Sequence, residues 1–441
     1  MRVWMQWGEP ALMGGLLLAG LYLSLRLGLL PVRRPGAVWR ATLGGRRTGG
    51  DAGSVSPFQA MATALAGTVG TGNMVGVATA LAAGGPGAVF WMWASALVGM
   101  TTKYCEILLT LLYRKRNAAG EWVGGPMHVL RRALGLRWLP DLFAAAGVVA
   151  AFGIGNMAQV NSAAAALEDS LGLSPWVTGL ALAGLTALVI LGGGKRIPRA
   201  CARLVPAMAV CYLALAGAAL WIGRAGILPA LAGIVRGAFT PTAAVGGFLG
   251  SSVARTMATG LSRGIFTHEA GLGSSPIAHA SAETDSPVRQ GMWGVFEVFA
   301  DTMVVCTVTA LVILVSGAWT SGADGAPLTL MAFTGALGNW AGAGVALSLF
   351  LFALAAMLGW NFYGLRCLEF LTRSSGCRRA YQAAYLAAAV LGAVLPMDWI
   401  WPACDLLNAC MILPNMVGVL ALAGEAARET RAYFARGRET L

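Results

Sequence analysis

Charge is scarce in this chain: Asp and Glu supply 19 and Lys and Arg 31 of 441 residues, 11% in all, where a soluble globular protein carries about 25%. So little charge excludes a water-exposed fold of this size. With 57% hydrophobic residues and a mean hydropathy of +0.69, the composition is that of an all-α polytopic membrane protein. The acidic residues are the scarcer, leaving a net charge of +12. The basic residues fall in short loops between apolar runs, which is the positive-inside pattern of membrane topology and excludes a nucleic-acid partner.

Enzyme and metal signatures are also lacking. His268-Glu269 has no second histidine four residues after the first, and Gly192-Gly193-Gly194-Lys195 lacks the spacing and the hydroxyl residue of a phosphate loop. Cys105, Cys201, Cys211, Cys306, Cys367 and Cys410 lie within or beside apolar segments without metal-ligand spacing and read as small buried residues. No enzymatic activity and no cofactor are expected. Residues 1–10 show no secretory cleavage pattern, so the first helix is expected to remain.

What the chain does have is two interrupted apolar segments. One carries Gly67-Thr68-Val69-Gly70-Thr71-Gly72-Asn73 and the other Gly260-Leu261-Ser262-Arg263-Gly264. Clustered glycines weaken a helix and free the backbone to unwind. In lipid, unwound backbone is tolerated only where it lines a cavity or is buried in protein, so paired breaks point to a midplane site built from half-helices.

A window of about 20 apolar residues finds eleven segments: Ala11–Leu30, Ser56–Ala83, Ala88–Tyr113, Leu139–Leu167, Trp176–Leu191, Leu204–Ile222, the second interrupted run Gly246–Ala280, Val288–Val315, Ala341–Leu371, Ala380–Leu395 and Trp399–Leu422. They divide as one plus five plus five, and an odd count per unit gives the two units opposite topology, an inverted repeat. The corresponding regions are 1–50 (extra helix and basic loop), 51–225 (first repeat), 226–424 (second repeat) and 425–441 (tail). With the N-terminus outside, the loops bearing Arg33 to Arg47, Arg114 to Arg132, Lys195 to Arg203 and Arg373 to Arg379, and the tail from Arg428, all fall inside, against Arg2, Arg224 and Arg236 outside. Short amphipathic stretches, Pro229–Ala238 and Leu328–Leu337, are expected outside at the interface.

The first break has the chemistry for an amino acid, whose carboxylate and ammonium both need partners away from water. The amides of Thr71, Gly72 and Asn73 open a half-helix with its positive dipole end and suit the carboxylate. The carbonyls of Ala66, Thr68 and Val69, with the Asn73 side-chain oxygen, suit the ammonium or a small hard cation. Elsewhere in the membrane, Gln159 lies three residues from Asn156 and reads either as a pocket residue or as an interhelical hydrogen bond. Trp360, mid-span, either walls a pocket or packs. The second interrupted segment contributes Ser262 and Phe266. Glu106, Glu297, Asp301 and Asp405 are membrane-embedded or near-interface carboxylates, functional candidates by default.

These stretches also carry a family resemblance. Ser56-Pro57-Phe58-Gln59, Gly67 to Asn73, Gly84-Gly85-Pro86-Gly87, Phe90-Trp91-Met92-Trp93, Gly124-Gly125-Pro126-Met127, Arg263 to Gly271, Pro276 to His279, Leu358-Gly359-Trp360 and Pro414-Asn415 resemble the alanine/glycine:cation symporters, from about Ser56 to Leu422. The resemblance implies a leucine-transporter-type five-plus-five fold preceded by one helix, and sodium- or proton-coupled uptake of small neutral amino acids. Val69-Gly70-Thr71-Gly72-Asn73 also resembles the unwound first helix of the neurotransmitter:sodium symporters, which implies Thr71 and Gly72 for the carboxylate, with Ala66, Val69 and Asn73 toward cations. One departure bears on mechanism: Ala355 and Ala356 stand where hydroxyl residues are expected, so only backbone carbonyls near Ala355 are offered to sodium there.

The reading is an inner-membrane amino-acid:cation symporter, multi-pass, with alanine or glycine as solute and sodium as coupling ion. Proton coupling is the alternative, and a solute-gated channel or a membrane sensor the different class. One asymmetric break per repeat favours alternating access over the ringed lining of a channel.

Overall fold

The computed structural model describes residues 9–44, 55–192, 196–243, 248, 250–396 and 400–437. Helix α1 (Glu9–Arg26) runs into two short helices, α2 (Leu30–Arg33) and α3 (Pro35–Ala41). The chain turns between α1 and α2 because Gly28 and Leu29 take left-handed backbone angles. The first interrupted segment is α4 (Pro57–Thr68) and α5 (Gly72–Gly84). Ser56 and Gln59 start α4 with reciprocal side-chain-to-backbone bonds, a capping box behind Pro57 at the first helical position. Then come α6 (Gly87–Tyr113), a small antiparallel hairpin of β1 (Lys115–Arg116) and β2 (Trp122–Val123), and α7 (Pro126–Ala133).

Helices α8 (Trp138–Phe152) and α9 (Ala158–Leu171) form one run joined by a π-helical turn over Gly153–Met157, followed by α10 (Pro175–Ile190), α11 (Arg196–Ile222) and α12 (Ile227–Gly237). The second interrupted segment is α13 (Val253–His268) and α14 (Ser275–His279). Helices α15 (Pro287–Val298) and α16 (Thr307–Val315) are joined by a π-helical stretch, Phe299–Cys306. Then follow α17 (Gly325–Leu337), α18 (Trp340–Leu371), α19 (Ser375–Val394), α20 (Ile400–Ala421) and α21 (Ala423–Ala435). Helix α6 packs along α13 and α15, while α18 packs on α4, α8, α9 and α11. The two broken segments pack on each other, α5 along α13 and α14 along α4.

Helical segments occupy all eleven expected positions, but length and apolarity qualify fewer of them. Among the described residues, six runs are long and apolar enough to cross a membrane (57–84, 87–113, 138–171, 196–222, 287–315 and 340–371), or seven if α20 and α21, bent by 57°, count as one span. The apolar parts of α1 and α10 are shorter. Helix α13 carries Arg255, Arg263 and His268, and α19 opens on Arg378 and Arg379, which lowers their apolarity. Both stretches expected to be amphipathic are helical, as α12 and α17, but only α12 has a polar and an apolar face; α17 is a short apolar helix packed on α5 and α18. Of the cysteines read as buried, Cys105, Cys201, Cys306 and Cys367 are buried, Cys410 is partly so, and Cys211 is exposed on α11.

The second break is not where the glycines place it. Helix α13 continues through Gly260 and Gly264 and ends at His268; the unwound stretch is Glu269–Ser274. A Cβ on Gly260 would lie 2.7 Å from the Trp91 Cβ, and one on Gly264 would lie 3.1 Å from the Met92 Cα. These two glycines therefore let α13 and α6 approach closely, as in a small-residue seam. The positive φ values fall later, at Glu269 (52°), Gly271 (95°) and Gly273 (80°), and positive φ is where glycine is needed.

Candidate substrate and ion site

The first break lies where the glycine cluster puts it. Helix α4 stops at Thr68; Val69 turns out with φ −78° and ψ 90°, and α5 begins at Gly72. The released backbone groups find side-chain partners, as buried polar groups must. The Gly70 amide donates to Asn73 Oδ1 at 3.1 Å. The Thr71 amide and hydroxyl both donate to Gln159 Oε1, at 2.9 and 3.0 Å, and Gln159 Nε2 donates to the Ile154 carbonyl at 3.0 Å. Gln159 thus reaches across from α9 to the break. Asn156 does not share its direction, because the π-helical turn intervenes and its amide donates to the Tyr385 carbonyl on α19.

Phe266 lies over the start of α5: a Cβ on Gly72 would be 3.6 Å from its ring. Ser262 sits one turn earlier on α13, on the same face by its four-residue spacing. It belongs to a helix, not to a break. Trp360 is wholly buried; its indole N–H donates to the Gly67 carbonyl at 3.2 Å, and a Cβ on Gly155 would overlap its ring. Tyr363 donates to the Ala64 carbonyl at 3.1 Å. A Cβ on Gly359 would lie 2.7 Å from the Gly67 Cα. These contacts clamp the last turn of α4, with Ala66, Thr68 and Val69, against α18. Ala355 is buried one turn before Gly359 on the same side of α18.

Four carboxylates are buried around the two breaks. Asp301, in the π-helical stretch after α15, accepts from Asn73 Nδ2 at 2.6 Å and from the Thr302 hydroxyl at 2.8 Å. Glu106 accepts from the Gly271 amide at 3.0 Å and from Asn415, tying the second break to α20. Glu269 accepts from Ser274 at 2.5 Å. Glu297 differs in having a charged partner, Lys103 at 2.7 Å, with both side chains fully buried. The sequence reading missed Lys103, although a lysine in the middle of the apolar run 88–113 was visible. It also missed Glu269, Ser275 and His279. The side chain of Asp405 lies outside the described residues.

Helices broken at two places, a buried amide cluster and membrane-embedded carboxylates define a secondary transporter. The fold has a solved counterpart: the crystal structure of MhsT in complex with L-phenylalanine superposes with a TM-score of 0.59 at 15% identity, covering 86% of this chain and 90% of that one. The architecture is therefore the leucine-transporter type.

The profile of the sodium:alanine symporter family matches residues 3–440, and the chain belongs to that family. Among its relatives, the sodium/alanine symporter AgcS of Methanococcus maripaludis is 42% identical over 97% of this chain and 94% of its own length. The amino-acid carrier protein AlsT of Bacillus subtilis is 35% identical over 95% and 88% respectively. The chain is thus a multi-pass membrane transporter and not an enzyme.

Proposed function

We propose that the chain imports alanine or glycine with sodium by alternating access, binding the amino acid at the first break. The observation that carries this reading is the unwound Val69–Thr71 stretch leading into α5, with Gln159 on Thr71 and Phe266 over Gly72. The amides of Thr71, Gly72 and Asn73 at the start of α5 receive the substrate carboxylate. Gln159, Ser262, Phe266 and Trp360 are the candidate wall for the substrate side chain, a methyl group or a hydrogen in the favoured solutes. Sodium is taken by the carbonyls of Ala66, Thr68, Val69 and Ala355, with Asn73 close by. The name of the Methanococcus relative, a sodium/alanine symporter, supports both solute and ion.

On this reading the chain lies in the prokaryotic inner membrane with its N-terminus outside and its tail cytoplasmic. It divides into 1–50, two five-helix repeats at 51–225 and 226–424, and the tail 425–441. Its partners are a small neutral amino acid, a monovalent cation and lipid.

Proton coupling is the second reading, and a specific observation favours its candidates. Asp301 and Glu106 are buried, and their hydrogen-bond partners are neutral, Asn73 and Thr302 for the one and the Gly271 amide and Asn415 for the other, in contrast to Glu297 with its Lys103. Counterflow of labelled alanine in proteoliposomes, with sodium and pH varied separately, tests both. Saturable stimulation by sodium at constant pH supports the first reading; uptake driven by a pH gradient without sodium supports the second.

A further inference from the structure

Glu297 stands where the ends of the two broken helices meet. Its Oε1 lies 2.7 Å from Lys103 Nζ on α6 and 2.8 Å from the hydroxyl of Thr68, the last residue of α4. Its Oε2 accepts from the hydroxyl of Ser275, the first residue of α14, at 2.8 Å and lies 3.2 Å from His279 Nε2. Gln290 holds the other face of that imidazole, 2.8 Å from Nδ1. Lys103, Glu297, Thr68, Ser275 and His279 are all buried.

A carboxylate offers about four lone-pair sites, and here each has a partner. Lys103 supplies the counter-charge without which a buried carboxylate is strongly unfavourable. The hydroxyls of Thr68 and Ser275 do not serve neutralisation. They attach α4, just before the first break, and α14, just after the second, to one atom group. Neither end can move away without surrendering a bond to an ionised acceptor in a medium of low dielectric, where such bonds are strong. Pairwise attachment to a shared rigid group is a physical means by which two sites bias each other.

We infer that Glu297, with Lys103 as its fixed counter-charge, is the positioning residue that couples the two breaks, so that unwinding or tilting at one loosens the other. Its role in transport rests on the alternating-access reading above; the coupling itself does not. The experiment therefore has an arm that needs no substrate.

The full-length protein in lipid nanodiscs is compared with Ser275→Ala and Thr68→Val, which leave the Lys103–Glu297 pair intact. Amide hydrogen exchange is followed without added solute. Ser275→Ala is expected to raise exchange on the order of fivefold at residues 67–73 as well as at 269–279, and Thr68→Val to raise it likewise at both stretches, because coupling is reciprocal. Exchange that rises only at the break next to each substitution overturns the inference.

The second arm measures alanine counterflow in proteoliposomes. Each variant is expected to slow it about tenfold, and the double variant to be no slower than the worse single one, since both act through one carboxylate. Losses that multiply overturn the inference. Wild-type protein that moves neither alanine nor glycine refutes the solute assignment, while the exchange result still decides the coupling.

Discussion

Gln159 and Thr71 are joined twice: one amide oxygen on α9 accepts both the backbone N–H and the hydroxyl of the last residue of the first break. The same N–H is proposed to receive the substrate carboxylate, so a change of charge at residue 159 reports directly on the site. Gln159→Glu keeps the acceptor and the size but places a negative charge beside the incoming carboxylate. Alanine affinity is expected to fall more than about tenfold, the scale of a repelled charge in a partly desolvated site. Equilibrium binding to detergent-solubilised protein checks this, and unchanged affinity would move the carboxylate elsewhere.

Trp360 both packs and borders the proposed side-chain space, and two substitutions separate these roles. Trp360→Ala removes a fully buried indole, a loss of about 3–5 kcal/mol in packing alone. Trp360→Phe keeps most of the volume and gives up the bond to the Gly67 carbonyl. If the indole limits solute size, Trp360→Phe relaxes the preference for alanine over leucine by about 10-fold or more, the usual worth of a methylene misfit. Competition uptake across neutral amino acids measures it. A retained rank order makes Trp360 a packing residue.

The glycines of α13 are expected to matter for assembly rather than for the solute. Gly260→Ala drives a Cβ toward Trp91 and the backbone of Ala88, an overpacking that costs about 1–3 kcal/mol. Gly184→Ala on α10 meets nothing within 4 Å and gains about 0.5–1 kcal/mol of helix propensity. Thermal unfolding in detergent should order the proteins Gly184→Ala, wild type, Gly260→Ala from most to least stable. A Gly260→Ala protein as stable as wild type would refute the seam.

The two breaks show what the sequence made legible. Gly67, Gly70 and Gly72 crowd into an apolar run, and the helix stops among them at Thr68. Gly260 and Gly264 look equivalent, yet glycine serves two purposes in membranes. At those positions it permits α13 to approach α6, while Gly271 and Gly273 supply the left-handed angles of the true break. Spacing cannot separate these uses, because the neighbour that needs room, Trp91, is 169 positions from Gly260 in the chain. Gln159 was legible as a polar residue in lipid; its partner was not, since a π-helical turn separates its direction from that of Asn156. Asp301 and Asn73 were each recognisable, but their hydrogen bond closes over 228 residues.

Substitutions at Asp301 and Ala355 together test which ion is coupled. A sodium shell takes about six oxygens; the carbonyls of Ala66, Thr68, Val69 and Ala355 fall short of it, so sodium dependence of low apparent affinity is expected. Ala355→Ser and Ala356→Thr add hydroxyls to α18 at buried positions and should tighten the sodium dependence of uptake, because a fixed ligand replaces a labile one. Asp301→Asn retains an acceptor for Asn73 but loses the charge and the titrating group. Under sodium coupling it weakens apparent sodium affinity while sodium-driven uptake persists at high concentration. Under proton coupling it abolishes uptake driven by a pH gradient and leaves exchange of labelled for unlabelled alanine. Measuring both modes in the same proteoliposomes separates the cases: tighter sodium dependence in Ala355→Ser establishes a sodium site beside α18, and pH-driven uptake lost in Asp301→Asn without sodium overturns it.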